Sequence, residues 1–511
     1  MGVVVKQSLK GTIINYIGVA VGFVTTFFVM TKYLSTEEIG LASVLSNAAI
    51  LFSGLAQMGT STSAMRFYPY FKDSESRDHG FFGWTLIVPL AGFIIFTALF
   101  FIFKQQISDY FSEQSALFVD YMYFVIPMSF FMLYTVVFET NSNLLMRIVF
   151  PRFVREVGIR LFTLIDYLLY ITNVIDLDGM VIGLCVTYLL ATILNIIYLL
   201  SLRRISFKIE PSFVDKKLRR DFFLYTLLLI VSSVVSTIIP VLNSLLITAK
   251  MGLAFTGIYK IATDMAALVE MPYRALGSIS KPNISQAMKD NDTVKARSLT
   301  KDVSLHQLIA GLFVFFIIWI NIDLFFELLP NGEVFATGKW VFFILVLAKM
   351  INSSLNVGVI VLSYSKYYYL QLFFTAVLTF TAIVMNNLLI PVLGMTGSAM
   401  ASLVSYSLYY ILILSVVGWK TKIHPFSWGE MMVVIIISVL FVADYLVVKF
   451  VSPSVVVLLG GGLLGRAAES VIRTLFFVFT GIAAVYKLKI SKQINDLIDI
   501  LLKKLKLMGD D

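Results

Sequence analysis

The sequence is poor in the residues on which most soluble enzymes depend. Charged residues make up only 14% of its 511 positions, whereas a soluble domain has about 25%, so the chain cannot cover a globular surface with charge. Its single cysteine, Cys185, excludes a disulfide framework. Its three histidines, His79, His306 and His424, lie too far apart for metal-ligand spacing, and no metal site is predicted.

Apolar residues are abundant instead, at 59% of the chain with a mean hydropathy of +0.88. Apolar runs long enough to cross a bilayer as helices recur from one end of the chain to the other. These runs are continuous, whereas the strands of a membrane β-barrel would alternate apolar and polar residues. The sequence therefore predicts an all-α polytopic membrane protein with about fourteen transmembrane helices. The predicted spans are 11–33, 38–64, 82–103, 117–140, 154–175, 179–201, 222–249, 254–279, 304–329, 336–362, 367–391, 396–418, 429–450 and 463–486.

Lysine and arginine are distributed unevenly among the loops. They crowd the segment "LRRISFKIEPSFVDKKLRR" at 202–220, whereas the loop "NVIDLDG" at 173–179, on the opposite side of the predicted bundle, is acidic. The positive-inside rule then places both termini in the cytoplasm. Because basic residues at membrane edges account for the net charge of +9, no nucleic-acid partner is inferred.

The chain contains an internal repeat. Residues 31–49 align with residues 248–266, so that Gly40 meets Gly257, and a second pair of segments about 140 residues further on agrees with this shift within one residue. Because six helices are an even number, both copies insert in the same direction and form two parallel lobes. The predicted domains are an N-terminal six-helix lobe at 1–210, a C-terminal six-helix lobe at 211–420, two additional helices at 421–488 and a cytoplasmic amphipathic tail at 489–511.

The stretch "GIYKIATDMAALVEMPYR" (257–274) carries four charges inside an apolar span, at Lys260, Asp264, Glu270 and Arg274. At 100° per residue the four side chains share an arc of roughly 120°. A charge at bilayer depth normally faces a water-filled cavity or a partner, so this arc is predicted to line a central cavity. The alternative is that each pair spaced i, i+4 simply neutralises itself as a structural device.

Positions equivalent to the four charges in the first repeat are also polar, namely Ser43, Asn47, Ser53 and Gln57. Asn47 and Gln57 are therefore candidates for substrate binding on the opposite wall of the predicted cavity, which the first repeat would form. Lys349, midway through the predicted span 336–362, is a further candidate, and its alternative is snorkelling to an interface. Pro272 predicts a kink within the charged helix.

Three segments resemble landmarks of a known family. They are "YLSTEEIGLASVLSNAAILFSGLAQMGTSTSAMRFYP" (33–69), "GIYKIATDMAALVEMPYRALGSISKP" (257–282) and "LLIPVLGMTGSAMASLVSYSL" (388–408). They are similar to helix 2, helix 8 and the helix 11–12 junction of the MOP exporter superfamily, specifically its Wzx-type polysaccharide flippases. The resemblance covers most of the chain and implies a MATE-like fold.

The resemblance implies a flippase of the bacterial or archaeal cytoplasmic membrane that serves surface polysaccharide biosynthesis, such as that of lipopolysaccharide. It would move a polyprenyl-diphosphate-linked oligosaccharide from the inner to the outer leaflet by alternating access. By position in the matched helices, Lys260 and Arg274 would be cavity cations and Arg66 a cation at the cytoplasmic mouth. Asp264 and Glu270 would be ion-coupling carboxylates for Na⁺ or H⁺. No cofactor is implied, and the implied partners are the lipid-linked oligosaccharide, membrane lipids, a polysaccharide polymerase and glycosyltransferases.

Other functions stay open at this point. Within the same superfamily they are a flippase of peptidoglycan lipid precursors and a MATE-type multidrug antiporter, although an exporter of organic cations would favour net acidic cavity walls. A different class is a membrane polysaccharide polymerase or glycosyltransferase. The predicted outer loops are short and poor in arginine, which disfavours that enzyme class because no convergent acid–base set lies outside the membrane.

Overall fold

The computed structural model describes residues 3–73, 78–202, 220, 237–239 and 241–507, which are largely helical and contain no strand. The helices are α1 (Val3–Val24), α2 (Thr36–Ala56), α3 (Thr60–Phe71), α4 (Phe81–Ile102), α5 (Lys104–Ser112), α6 (Ala116–Tyr121), α7 (Val125–Leu144), α8 (Val149–Phe153), α9 (Ile159–Ile171), α10 (Leu177–Ser201), α11 (Val241–Met251), α12 (Leu253–Ala267), α13 (Met271–Lys289), α14 (Thr293–Ile320), α15 (Ile322–Leu328), α16 (Gly332–Ala336), α17 (Lys339–Ser363), α18 (Tyr369–Thr421), α19 (Trp428–Phe450), α20 (Ser452–Leu458), α21 (Gly462–Lys487) and α22 (Lys492–Leu507).

Ten helices in the described part of the chain are long and apolar enough to cross a membrane. They coincide with eleven of the predicted spans, because α18 contains two of them and bends at Gly394, whose φ of 59° and ψ of −138° are not helical. Of the other three predicted spans, 154–175 and 254–279 are helical but interrupted, and 222–249 lies largely outside the described residues. The all-α, multi-span fold is confirmed, and the count of fourteen stays a prediction.

Several helices begin where the sequence provides a capping side chain. Ser35 and Glu38 form a capping box at the start of α2, in which the Glu38 carboxylate accepts from the Ser35 amide at 2.7 Å. Asp176 accepts from the amide of Gly179 at 2.9 Å at the start of α10. These side chains bind backbone N–H groups that the first helical turn leaves unpaired, and so they define where the spans begin.

The chain divides into two compact units. The first comprises Met1–Ile261 with Asn386–Ser398, and the second comprises Ala262–Met385 with Ala399–Asp511. The boundaries of the domains inferred from the internal repeat stay a prediction.

Within the first unit the two repeat copies meet backbone to backbone. A Cβ placed on Gly40 would lie 1.9 Å from the carbonyl oxygen of Leu253, and one placed on Gly257 would lie 2.1 Å from the carbonyl oxygen of Thr36. Leu253 is the repeat equivalent of Thr36, as Gly257 is of Gly40. The contact is therefore reciprocal, which supports the internal repeat inferred from the sequence.

In the second unit the last two spans are tied to α14 by buried charge. The Arg473 guanidinium lies 2.8 Å from the Asp444 carboxylate and 3.1 Å from that of Glu469, and it donates to the Ile320 carbonyl at 2.9 Å. All three charged side chains are about 10% exposed. Separating the helices would leave a buried charge uncompensated, which is costly. These contacts therefore hold α19 and α21 against the end of α14.

Candidate functional site

The charged helix is not one continuous α-helix. α12 ends at Ala267, a 3₁₀ turn covers Leu268–Glu270, and α13 begins at Met271 with Pro272 in its first turn. The kink predicted at Pro272 is thus observed as a turn just before it. A 3₁₀-helix has about three residues per turn, whereas an α-helix has 3.6. The calculated arc of roughly 120° assumed an uninterrupted α-helix from Lys260 to Arg274, and that assumption was wrong.

Glu270 and Lys349 form an ion pair between different helices of the second unit. Lys349 Nζ lies 3.0 Å from Glu270 Oε2, and the two side chains are 21% and 14% exposed. Glu270 is at the end of the 3₁₀ turn, whereas Lys349 is in the middle of α17. The structure therefore joins two candidates that the sequence offered separately.

A row of polar side chains continues from Lys349 along α17. Asn352 accepts from the Tyr410 hydroxyl at 2.7 Å, Asn356 donates to the same hydroxyl at 3.2 Å, and Asn356 accepts from the Tyr273 hydroxyl at 2.8 Å. Tyr410 is fully buried. α13, α17 and α18 thus share a hydrogen-bonded polar row inside apolar spans, and such a row offers both donors and acceptors to a hydroxyl-rich or phosphorylated ligand.

Sequence reasoning singled out Lys349 but missed Asn352, Asn356 and the two tyrosines. A signal was present, because Lys349, Asn352 and Asn356 are spaced i, i+3, i+7 and fall within about 60° of one helix face. The tyrosines gave no such signal. They lie on helices remote in sequence, and only the fold brings them to this row.

Two predicted site residues lie on α12 and one on α13. Lys260 and Asp264 are both half-buried, with Lys260 in the first unit and Asp264 in the second. The backbone of Arg274 is part of α13, whereas its side chain lies outside the described residues. The i, i+4 pairing of Glu270 with Arg274, which the sequence left open as a structural alternative, therefore stays a prediction beside the pair that Glu270 makes with Lys349.

The remaining candidates belong to the first unit. Asn47 donates to Ser43 Oγ at a long 3.4 Å within α2. Gln57 donates to Ser61 Oγ at 2.7 Å at the junction of α2 and α3. Arg66 is exposed on α3, with its guanidinium 5.8 Å from the centre of the Phe67 ring. Asn47 thus lies within α2, Gln57 at its end and Arg66 on α3, and none of the contacts described for these residues joins one of them to another.

An apolar groove of about 520 Å³ adjoins the polar row in the second unit. Tyr410 is shared by the two, and the walls of the groove include Ile351 and Leu355 of α17 and Ile411 and Leu414 of α18. A hydrogen-bonding row and an apolar groove thus lie side by side. An amphiphile has the same two kinds of surface.

Comparison with solved structures shows the fold. The lipid II flippase MurJ in an inward closed conformation is 13% identical, with a TM-score of 0.67 over 93% of this chain and 98% of that one. An inward-facing multidrug resistance MATE family transporter of the MOP superfamily is 11% identical, with a TM-score of 0.58 over 80% and 96%. The Vibrio cholerae MATE transporter VcmN is 12% identical, with a TM-score of 0.53 over 81% and 97%.

Comparison with sequence families is more specific. No curated protein matches the chain. A family model described as "Polysaccharide biosynthesis protein" matches residues 4–288, which is more than half of the 511 residues. The chain therefore belongs to the polysaccharide biosynthesis protein family of the MOP exporter superfamily, and its fold is that of MurJ and the MATE transporters.

Proposed function

We propose that this protein is a flippase that moves a polyprenyl-diphosphate-linked oligosaccharide from the inner to the outer leaflet of the cytoplasmic membrane by alternating access. The observation that carries the proposal is the polar row of α17, which begins at the Glu270–Lys349 pair and continues through Asn352 and Asn356. A lysine in the middle of an apolar span is costly and marks a substrate or ion pathway. The fold shared with MurJ and the MATE transporters supports transport rather than catalysis along that pathway.

The physical task explains why such a row is needed. A diphosphate linked to a sugar cannot cross hydrocarbon alone, because moving charged and hydroxyl groups out of water costs many kcal/mol unless they gain partners. Cations in a site of low dielectric offset that cost. The polyprenyl tail has no such requirement and can remain in lipid or in the apolar groove beside Tyr410.

Within this proposal the predicted residues take distinct roles. Lys260, Arg274 and Lys349 bind the anionic head group, and Asp264 and Glu270 bind the coupling cation, H⁺ or Na⁺. Because Glu270 holds Lys349 at 3.0 Å, a cation bound at Glu270 would release Lys349 for a phosphate oxygen. That exchange gives the coupling ion a direct effect on substrate affinity.

Two further assignments concern the first unit and the partners. Arg66 receives the head group at the cytoplasmic mouth, and Asn47 and Gln57 contribute hydrogen bonds to the sugar. A polysaccharide polymerase would consume the translocated repeat units, and glycosyltransferases would supply them.

The purified protein in liposomes tests the proposal directly. We expect it to move a fluorescent polyprenyl-diphosphate-linked oligosaccharide between leaflets faster than protein-free liposomes or liposomes with an unrelated membrane protein. Accessibility of the label to a membrane-impermeant quencher measures the movement. Transport of a lipophilic cationic dye alone would contradict the proposal in favour of a drug antiporter.

Lipid II is the second candidate substrate, because a lipid II flippase shares this fold over 93% of the chain. It also carries a diphosphate, so the cationic residues do not separate the two substrates. The same liposome measurement with lipid II decides between them. Faster movement of lipid II than of every other diphosphate-linked oligosaccharide would replace the first candidate.

The proposed orientation has both termini in the cytoplasm. Single cysteines introduced into a Cys185→Ser background at Asp178 and Asn331 should react with an impermeant thiol reagent from outside the cell, and one at Asp215 should react only after the membrane is opened. The Cys185→Ser background removes the single cysteine of the chain, so only the introduced thiol can react. Outside labelling at Asp215, or inside labelling at either other position, would contradict this orientation.

A further inference from the structure

Three arginines follow one another at the beginning of the fifth predicted span, in the first unit. Arg152 is in α8, Arg155 is in a π-helical turn at Val154–Gly158, and Arg160 is in the first turn of α9. π-turns inside α-helices are rare and are frequent at functional sites. The turn changes the helical phase at the point where the arginines occur.

Only part of this positive charge is neutralised. Arg155 lies 2.6 Å from the buried Glu139 carboxylate and 3.2 Å from Glu156, and Arg160 lies 3.7 Å from Glu156. Arg152 donates from Nε to the amide oxygen of Asn15 at 3.1 Å. An amide carries no charge, and Arg152 forms no close ion pair of its own among the described residues. The three positively charged guanidinium groups therefore have, in the described part of the chain, only two carboxylates, Glu139 and Glu156, to neutralise them.

The arginines extend along α1 and remain accessible. Arg152 and Arg160 pack against α1 at Gly11 and Gly22, where their guanidinium nitrogens lie 2.6 and 3.3 Å from the position of a glycine Cβ. The side chains of Arg155 and Arg160 are 46% and 34% exposed. A ligand can therefore reach the guanidinium groups without displacing the buried Glu139.

We propose that Arg152, Arg155 and Arg160 form a recognition site for the diphosphate head group of an inner-leaflet polyprenyl lipid, on the first unit. The inference rests on the proposed function and on the predicted orientation. In that orientation Glu139 is at the end of the fourth span and Arg152 just precedes the fifth, at the depth of the inner head groups. Guanidinium forks match phosphate oxygens in bidentate geometry, and a diphosphate offers enough oxygens for more than one of them.

Arg152→Gln is the sharpest test, because it removes the arginine that forms no close ion pair among the described residues and leaves Glu139 and Glu156 with theirs. Arg147→Gln is the matched control: Arg147 is exposed in the preceding loop and its loss changes the net charge equally. Both proteins are placed in nanodiscs containing graded fractions of polyprenyl diphosphate, polyprenyl monophosphate or phosphatidylglycerol. Binding is measured by thermal stabilisation and by native mass spectrometry.

We expect Arg152→Gln to bind polyprenyl diphosphate about ten- to a hundredfold more weakly than the wild type, as the loss of hydrogen bonds to a charged group predicts. Arg147→Gln should bind it as the wild type does. Equal binding by the two variants, or an equal loss for phosphatidylglycerol, would overturn the proposal, because general electrostatic attraction would then account for binding. If the wild type binds no polyprenyl diphosphate at all, the proposed function fails first, and the two failures are thus distinguishable.

Discussion

Gly40→Ala is expected to destabilise the protein strongly. The new methyl group would lie 1.9 Å from the carbonyl oxygen of Leu253, which is backbone and cannot rotate away as a side chain could. Forcing extra carbon into a packed contact typically costs about 1–3 kcal/mol and sometimes more. We expect a clear drop in thermal unfolding temperature and in the fraction of monodisperse protein in detergent.

Gly418→Ala is the matched control for this substitution. Gly418 is also helical, within α18, and nothing lies within 4 Å of its Cβ position. Because alanine is a better helix former than glycine, this variant should be neutral or slightly stabilised. Gly257→Ala should behave like Gly40→Ala, since its methyl group would lie 2.1 Å from the Thr36 carbonyl oxygen. Wild-type stability of either Gly40→Ala or Gly257→Ala would show that the two backbones do not approach each other this closely.

Lys349→Ala is expected to have the second large effect. It leaves the Glu270 carboxylate, which is 14% exposed, without the lysine beside it. Because both partners are largely buried, removing one of them should cost more than breaking an exposed pair. Thermal unfolding of the purified protein should show this loss. Lys339→Ala on the same helix breaks the pair with Asp323, whose side chain is 80% exposed, and should cost about 1 kcal/mol or less.

The double variant Glu270→Gln, Lys349→Gln separates stability from transport. It removes both charges and retains polar side chains of similar size, so its unfolding temperature should return close to that of the wild type. If Lys349 binds the head group, the double variant should fold yet move the lipid-linked oligosaccharide slowly in liposomes. Wild-type transport by a stable double variant would remove both residues from the proposed site.

Hydrophobic runs made the helical fold readable from the sequence, because a span must be apolar over its whole length whatever its neighbours are. The local geometry was readable only where a helix-breaking residue marked it. Pro272 predicted the interruption observed at Leu268–Glu270, whereas the hydropathy pattern gave no sign of the π turn at Val154–Gly158.

The site was readable only in part, for a related reason. Charged residues inside apolar spans identified Glu270 and Lys349 individually, but they are 79 positions apart. Sequence periodicity compares residues three or four positions apart on one helix, so it offered only Arg274 as a neighbour of Glu270 and could not indicate Lys349. The contact between Glu270 and Lys349 depends on which helices pack together.

The seam between Gly40 and Gly257 has the form of an isologous interface, in which position i contacts position j and j contacts i. In a dimer of identical chains, any substitution would alter such an interface twice. In one chain that carries both copies, each side can diverge alone. This freedom lets Lys260 stand where the other copy has Ser43, so that one copy can acquire charge without the repulsion that a second, identical charge would bring.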